Sequence, residues 1–470
     1  MMMSRISSLI GAVLLLNGCA MAPKYERPQP PVPSDWPDEG NITNTTGTAA
    51  ADISWPVFFP DPRLQEIIET ALIHNQDLRL AALNVERSRA LYGIQRAELL
   101  PALQMAASGS RQHRASDFTS PGESRTGTRF DVDLGVASWE LDFFGRIRSL
   151  KKQALQEYLG TEQARCSAQI ALVSEVARTY YVMAADRENQ RLAQSTLQAQ
   201  QEVHRMIRQQ YEAGVTAEID LHRSQTLVDA ARGALARYGQ LVAQDRNALV
   251  LLAGAPVPDE LLPGDLSSVT PPGDVAAGLP SEVLLRRPDI IAAEHRLQGA
   301  YAFIGTARAA FFPRIALTAT LGTASDDLSG LFASGSDTWS FVPRLSLPVF
   351  DARTWAAYRV SDATRKIALA QYEKAIQTAF REVADALAAR STIDEQIAAQ
   401  QSIVDSSQTI CRLSDQRFAQ GIDGYLGVLD AQRSLFAAQQ GLVSLRLAGL
   451  ASRIRLYAVL GGGGTADNAD

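Results

Sequence analysis

The sequence predicts an α+β membrane protein made by internal duplication, with long antiparallel helical hairpins and two β-hairpins in each chain. Three observations carry this expectation. A unit of about 210 residues is written twice; each copy holds a nearly Gly-free helical pattern of about 65 residues; and each has alternating apolar segments ahead of that pattern.

The stretch DLRLAALNVERSRALYGIQRAELLPAL from Asp77 aligns without gaps to DIIAAEHRLQGAYAFIGTARAAFFPRI from Asp289. Asp77/Asp289, Ala90/Ala302, Gly93/Gly305, Arg96/Arg308, Ala97/Ala309 and Pro101/Pro313 are identical. Farther along, YEAGVTAEIDLHRSQ from Tyr211 matches FAQGIDGYLGVLDAQ from Phe418, with Gly214/Gly421 and Gln225/Gln432 identical. Two stretches spaced alike in both halves mark a duplicated domain.

Each copy opens with a helix of about 25 residues that runs into Pro101 or Pro313. Extended segments follow. Phe130, Val132, Leu134 and Val136 alternate with Arg129, Asp131, Asp133 and Gly135; Ile315, Leu317, Ala319 and Leu321 alternate with Ala316, Thr318, Thr320 and Gly322. Period-two alternation predicts strands with one apolar face. Their partners are Leu103, Met105 and Ala107 in one copy, and Trp339, Phe341, Leu345, Leu347 and Val349 in the other. The long helices Arg146 to Gln210 and Arg353 to Arg417 come next, each ~100 Å at 1.5 Å per residue. In the second, Ile376, Phe380, Val383, Leu387 and Ile397 give a coiled-coil-like seam. Gly214 and Gly421 reverse the chain, and a helix of about 37 residues returns.

The remaining segments connect and anchor. Arg5 and the apolar run Ile6 to Leu16 read as an export signal, too short to span a bilayer. Leu16-Asn17-Gly18-Cys19 resembles a bacterial lipobox with Cys19 as the lipidation site; the alternative is a plain signal peptide ending near a cysteine. Ala20, where the inner-membrane retention signal places Asp, directs the expectation to the outer membrane. The expected plan is a signal peptide at 1–18, a lipidated strap at 19–62 and a first repeat at 63–253 with its hairpin at about 101–141. A linker at 254–283, a second repeat at 284–460 with its hairpin at about 313–350, and a tail at 461–470 complete it. Arg286-Arg287-Pro288-Asp289 suits a helix start, with Pro at the first helical position.

Composition excludes several classes. The net charge of −6, with no basic block, argues against nucleic-acid binding. His74, His113, His204, His222 and His295 lie far apart in this plan, so no catalytic, cofactor or metal site is expected. Cys166 and Cys411 sit too far apart along the helices for a disulfide.

Four strands cannot close a membrane barrel, because the smallest use eight and open edges in lipid leave backbone groups unpaired. Three copies supply twelve strands and twelve helical strings: a trimeric 12-stranded transmembrane β-barrel continued by a helical α-barrel. LLRRPDIIAAEHRL from Leu284, ARAAFFPRIALTATLG from Ala307 and GYLGVLDAQRSLF from Gly424 resemble the TolC family, and the lipobox resembles its OprM-like lipoprotein (NodT) branch.

That resemblance implies a homotrimeric efflux channel, palmitate-bearing and lipid-anchored in the outer membrane. It would accept drugs or other small toxic compounds from an inner-membrane RND-type pump through a periplasmic adaptor. Use for type I secretion, or as a non-conducting structural lipoprotein, stays open at this point. In the family an apolar ring and an acidic ring close the periplasmic end; the matching positions here are Leu426 and Asp430. Asp220, Arg223, Arg417 and Tyr425 lie in the same tip region as latch candidates, and the turns at Gly214 and Gly421 are where the adaptor would dock.

Overall fold

A computed structural model describes residues 21–33, 36, 50–275 and 281–463. Cys19, the signal segment and the end of the tail lie outside the described residues. Apart from one turn at Trp55–Phe58, the α-helices among the described residues are α1 (Pro62–His74), α2 (Gln76–Ala97), α3 (Arg146–Glu212), α4 (Glu218–Ala253), α5 (Pro288–Ala309), α6 (Ala352–Ala419) and α7 (Tyr425–Val459). The strands are β1 (Leu103–His113), β2 (Thr126–Leu141), β3 (Arg314–Ser325) and β4 (Asp337–Ser346). The chain divides into two compact units. One is formed by 1–29, 84–162 and 292–372; the other by 30–83, 163–291 and 373–470.

The first unit holds the sheet. Its order is β1-β2-β3-β4, antiparallel throughout, so the two hairpins join through β2 and β3 into one surface with β1 and β4 as edges. Register aligns the alternation across all four strands: Met105, Leu134, Leu321 and Trp339 form one transverse row. Leu103, Val136, Ala319 and Phe341 form the next. Met105 (75% exposed), Leu321 (66%) and Trp339 (76%) face outward with no cover. The opposite face is polar. Arg129 pairs with Asp131 at 2.6 Å, Ser108 Oγ donates to Asp131, and Thr320 Oγ1 and Ser340 Oγ share a hydrogen bond of 2.7 Å.

A bulge keeps the apolar face continuous. Val136 pairs with Ala319, but Trp139 pairs with Leu317, so β2 spends one residue more than β3 there. Ser138 takes φ 57°, the only positive φ outside glycine among the described residues. Without that extra residue, Trp139 and Leu141 would fall on the polar face. One sequence expectation is corrected here: Leu347 and Val349 lie past the end of β4, which closes at Ser346. Pro348 has no N–H to give a ladder, and the chain turns away toward α6.

The segment after Cys19 is clamped onto α5. Arg27 donates twice to Glu294, at 3.0 and 2.7 Å, and Tyr25 Oη donates to the same carboxylate at 2.9 Å. Glu294 is buried, and this triple contact offsets the cost of holding its charge there. Gly305 provides the seat for Ala22: a Cβ on it would meet the Ala22 backbone nitrogen at 2.9 Å. Where helices meet strands, Phe144 stacks on Phe312 and Phe311 packs edge-on against Trp355.

The second unit has an aromatic core. Phe58 stacks on Tyr457 at 3.9 Å between centroids, and Trp36 stacks on Phe380. Pro288 opens α5 as expected from the sequence. Arg287 explains the rest of that motif: it holds Asp289 and Glu382 and donates to the Val459 carbonyl near the end of α7.

Between α3 and α4, Asp245 lies beside Asp186, and burial followed by that neighbouring carboxylate pushes Asp245 up to about 7. A folded-state value above the unfolded one means the unfolded chain releases its proton first as pH rises. Stability from this group is therefore lost across about pH 4 to 7 and stays low above that window. Asp245→Asn is expected to raise the melting midpoint at pH 8 and to flatten its decline between those values. Melting curves at a series of pH values check this; an unchanged pH profile would contradict it.

Candidate functional site

The two helical tips are the same turn built twice. In the first, Gly214 has φ 73°, Val215 N–H reaches the Gln210 carbonyl and Gly214 N–H the Tyr211 carbonyl, both at 2.9 Å. In the second, Gly421 has φ 72°, and Ile422 and Gly421 reach Arg417 and Phe418 in the same way. These bonds satisfy carbonyls that a helix end leaves open, and the left-handed φ is why glycine stands at both places. A Cβ added at either glycine would meet nothing within 4 Å, and both glycines are exposed.

The start of α7 is fixed by its inner side. Tyr425, Val428 and Leu429 are buried against Ile207 of α3, with Val203, Leu221, Leu227 and Phe418 around them. Helical spacing then directs the neighbouring positions 426 and 430 away from this core. Leu426, 58% exposed, and Asp430 are those positions, one turn apart on the outward face. The arrangement brings an apolar and an acidic side chain to one open surface.

The latch candidates separate into two local pairs. Asp220 accepts from Thr216 Oγ1 at 3.3 Å and faces Arg223 at 3.5 Å, within the first tip. Arg417 closes on Asp423 within the second, with Nη2 to Oδ1 at 3.1 Å. Tyr425 joins neither pair. It is a core side chain, its hydroxyl is buried without a hydrogen-bond partner among the described residues, and burial pushes the phenol pKa up. Asp423 was missed by sequence reasoning; its spacing of six from Arg417, across a turn, was the available signal.

Two further contacts tie the hairpins. Gln200 Nε2 of α3 donates to Gln432 Oε1 of α7 at 2.8 Å, and Gln432 was visible beforehand as a repeated residue. His204 is buried between α3 and α4, its Nδ1 2.7 Å from Ser224 Oγ and its Nε2 2.9 Å from Arg208 Nη2. Ser224 donates its own proton to the Leu221 carbonyl, so Nδ1 carries hydrogen and Nε2 accepts from Arg208. Burial, then Arg208, holds this imidazole below its usual pKa. No group of three His, Cys, Asp or Glu arranged to hold a metal ion occurs among the described residues. Likewise, no described helix is long and apolar enough to cross a membrane.

Comparison with known proteins places these features in a family. The model of the family described as "Outer membrane efflux protein" matches residues 67–255 and 279–462, once in each half. The toluene efflux pump outer membrane protein TtgC of Pseudomonas putida is 45% identical over 465 residues, covering 98% of this chain and 96% of that protein. The crystal structure of a membrane protein from Pseudomonas aeruginosa superposes with a TM-score of 0.89 at 39% identity, covering 95% of this chain and 98% of that one. The open state of the Neisseria gonorrhoeae MtrE outer membrane channel gives 0.86 at 38% identity, with the same coverage. The family match falls in both halves and the relatives align along nearly the whole chain: it belongs to the outer membrane efflux protein family, the TolC-like channels.

Proposed function

We propose that this chain is the outer-membrane channel of a tripartite RND-type efflux system, a conduit and not an enzyme. Three copies form it, anchored by acylated Cys19 and extending into the periplasm, and it passes small toxic organic compounds from an inner-membrane pump and a periplasmic adaptor to the outside. The observation that carries the reading is the sheet. Its uncovered apolar rows suit lipid, its other face is polar, and its β1 and β4 edges require strands from further copies. The naming of TtgC for toluene efflux supports small organic substrates. Leu426 and Asp430 form the resting constriction, and the Gly214 and Gly421 tips receive the adaptor. Asp220–Arg223 and Arg417–Asp423 hold each tip in its closed shape.

The test is export in cells. A bacterium lacking its own efflux channel, supplied with this chain and its adaptor and pump, is expected to regain resistance to toluene and to several unrelated antibiotics. Unchanged sensitivity, with the protein present in the outer membrane, would overturn the reading.

A further inference from the structure

The geometry points to a binding site for the phosphate of an anionic phospholipid at the base of the sheet, formed by Lys24, Arg148 and Lys152. It rests on the reading of the sheet as membrane-inserted. The run Arg146-Ile147-Arg148-Ser149-Leu150-Lys151-Lys152 opens α3 with four cations and no acid. The strap brings Lys24 to the same place, and together they line a cleft of about 580 Å³ with Ser149 and Gln298 on its wall.

Carboxylates hold the two arginines at the cleft but leave its lysines loosely held. Arg146 is held by Glu140, at 2.8 Å. Asp142 accepts the Ile147 and Arg148 backbone N–H groups, capping the helix, and forms an ion pair with Arg148, whose Nη2 also donates to the Asp142 and Phe143 carbonyls; these contacts fix the guanidinium at the rim. Lys24 has only a 3.9 Å contact with Glu26, both largely in solvent. Lys152 is exposed and has no ion-pair partner among the described residues. Two loosely held ammonium groups and a guanidinium oriented by Asp142 thus line one cavity, with Ser149 on its wall and the Gln298 amide turned to Glu294.

Position selects a lipid as the source. Gly145, in the cleft, directly follows Phe144, which stacks on Phe312; Phe311 packs against Trp355 nearby. Aromatic side chains at strand ends mark the headgroup level of a membrane. Basic residues at that level attract anionic headgroups. Cys19, the expected acylation site, lies five residues before Lys24, so the strap that carries the anchor also lines the cleft.

Native mass spectrometry of the full-length protein in detergent tests this. Dihexanoyl phosphatidylglycerol is titrated against phosphatidylcholine of the same chain length, with inorganic phosphate as competitor. Phosphatidylglycerol is expected to bind preferentially, roughly tenfold more weakly in Lys24→Gln/Lys152→Gln, and to recover in Lys24→Arg/Lys152→Arg. Folding is checked by circular dichroism. Equal retention of both lipids, or equal phosphatidylglycerol binding by wild type and the glutamine variant, would overturn the site. Inorganic phosphate binding as tightly as the lipid would overturn the lipid assignment. Wild-type protein that conducts in bilayers without the lipid preference would refute this site alone, whereas absence of conductance would refute the channel reading.

Discussion

Leu321→Arg is expected to leave the protein helical but unable to insert into membranes. Leu321 sits in mid-strand, in register with Leu134 and Trp339, on the bare apolar face. An arginine near a bilayer midplane costs about 2–4 kcal/mol on a barrel's lipid face. A closed assembly would carry that cost in every copy, which makes this one of the largest single effects available. Ser108→Arg, on the polar face beside Asp131, is expected to insert normally because the new cation gains a partner. Folding into liposomes, read by protease protection and heat-modifiable mobility, checks both. Insertion of Leu321→Arg at the wild-type level would contradict the assignment of faces.

Gly254→Ala is expected to be comparably severe for stability. Gly254 closes α4 with φ 68°, and a Cβ there would lie 2.3 Å from the His74 carbonyl oxygen and 2.6 Å from its carbon. Both obstacles are backbone, so no rotamer change relieves them. Asn75 fixes the same corner by donating to the Leu252 carbonyl at 2.9 Å. Left-handed strain alone costs about 1–3 kcal/mol, and the overlap must displace α1 or the end of α4 in addition. A thermal melt of the variant should show a midpoint lowered by several degrees. A midpoint equal to wild type would show that the corner yields freely.

The duplication, the strands and the long helices were legible because each rests on a period: about 210 residues for the unit, two for a strand and 3.6 for a helix. What escaped depends on contacts between distant residues. The β2–β3 pairing joins positions about 180 apart, and the bulge at Ala137 and Ser138 uses residue types with no special turn signal. The same holds for the Arg27–Glu294 clamp, where neither residue stands out in its own segment. At the candidate site, Leu426 and Asp430 were identifiable from family resemblance, and their exposure follows from the burial of Tyr425, Val428 and Leu429. Tyr425, a latch candidate by its place in the tip, is buried in that core, and a tyrosine near a helix start carries no mark of which way it faces. Asp186 and Asp245 carry no mark in their own segments, since only the packing of α3 and α4 sets them side by side.

The channel reading with an acidic gate is tested most directly by conductance in planar bilayers, wild type beside Asp430→Ala. Wild type is expected to be closed most of the time. The variant is expected to open about tenfold more often, the ratio set by ~1.4 kcal/mol removed from the closed state. Absence of conductance from both, under conditions where a general porin conducts, would contradict the channel itself; equal opening of the two would contradict the gate at Asp430.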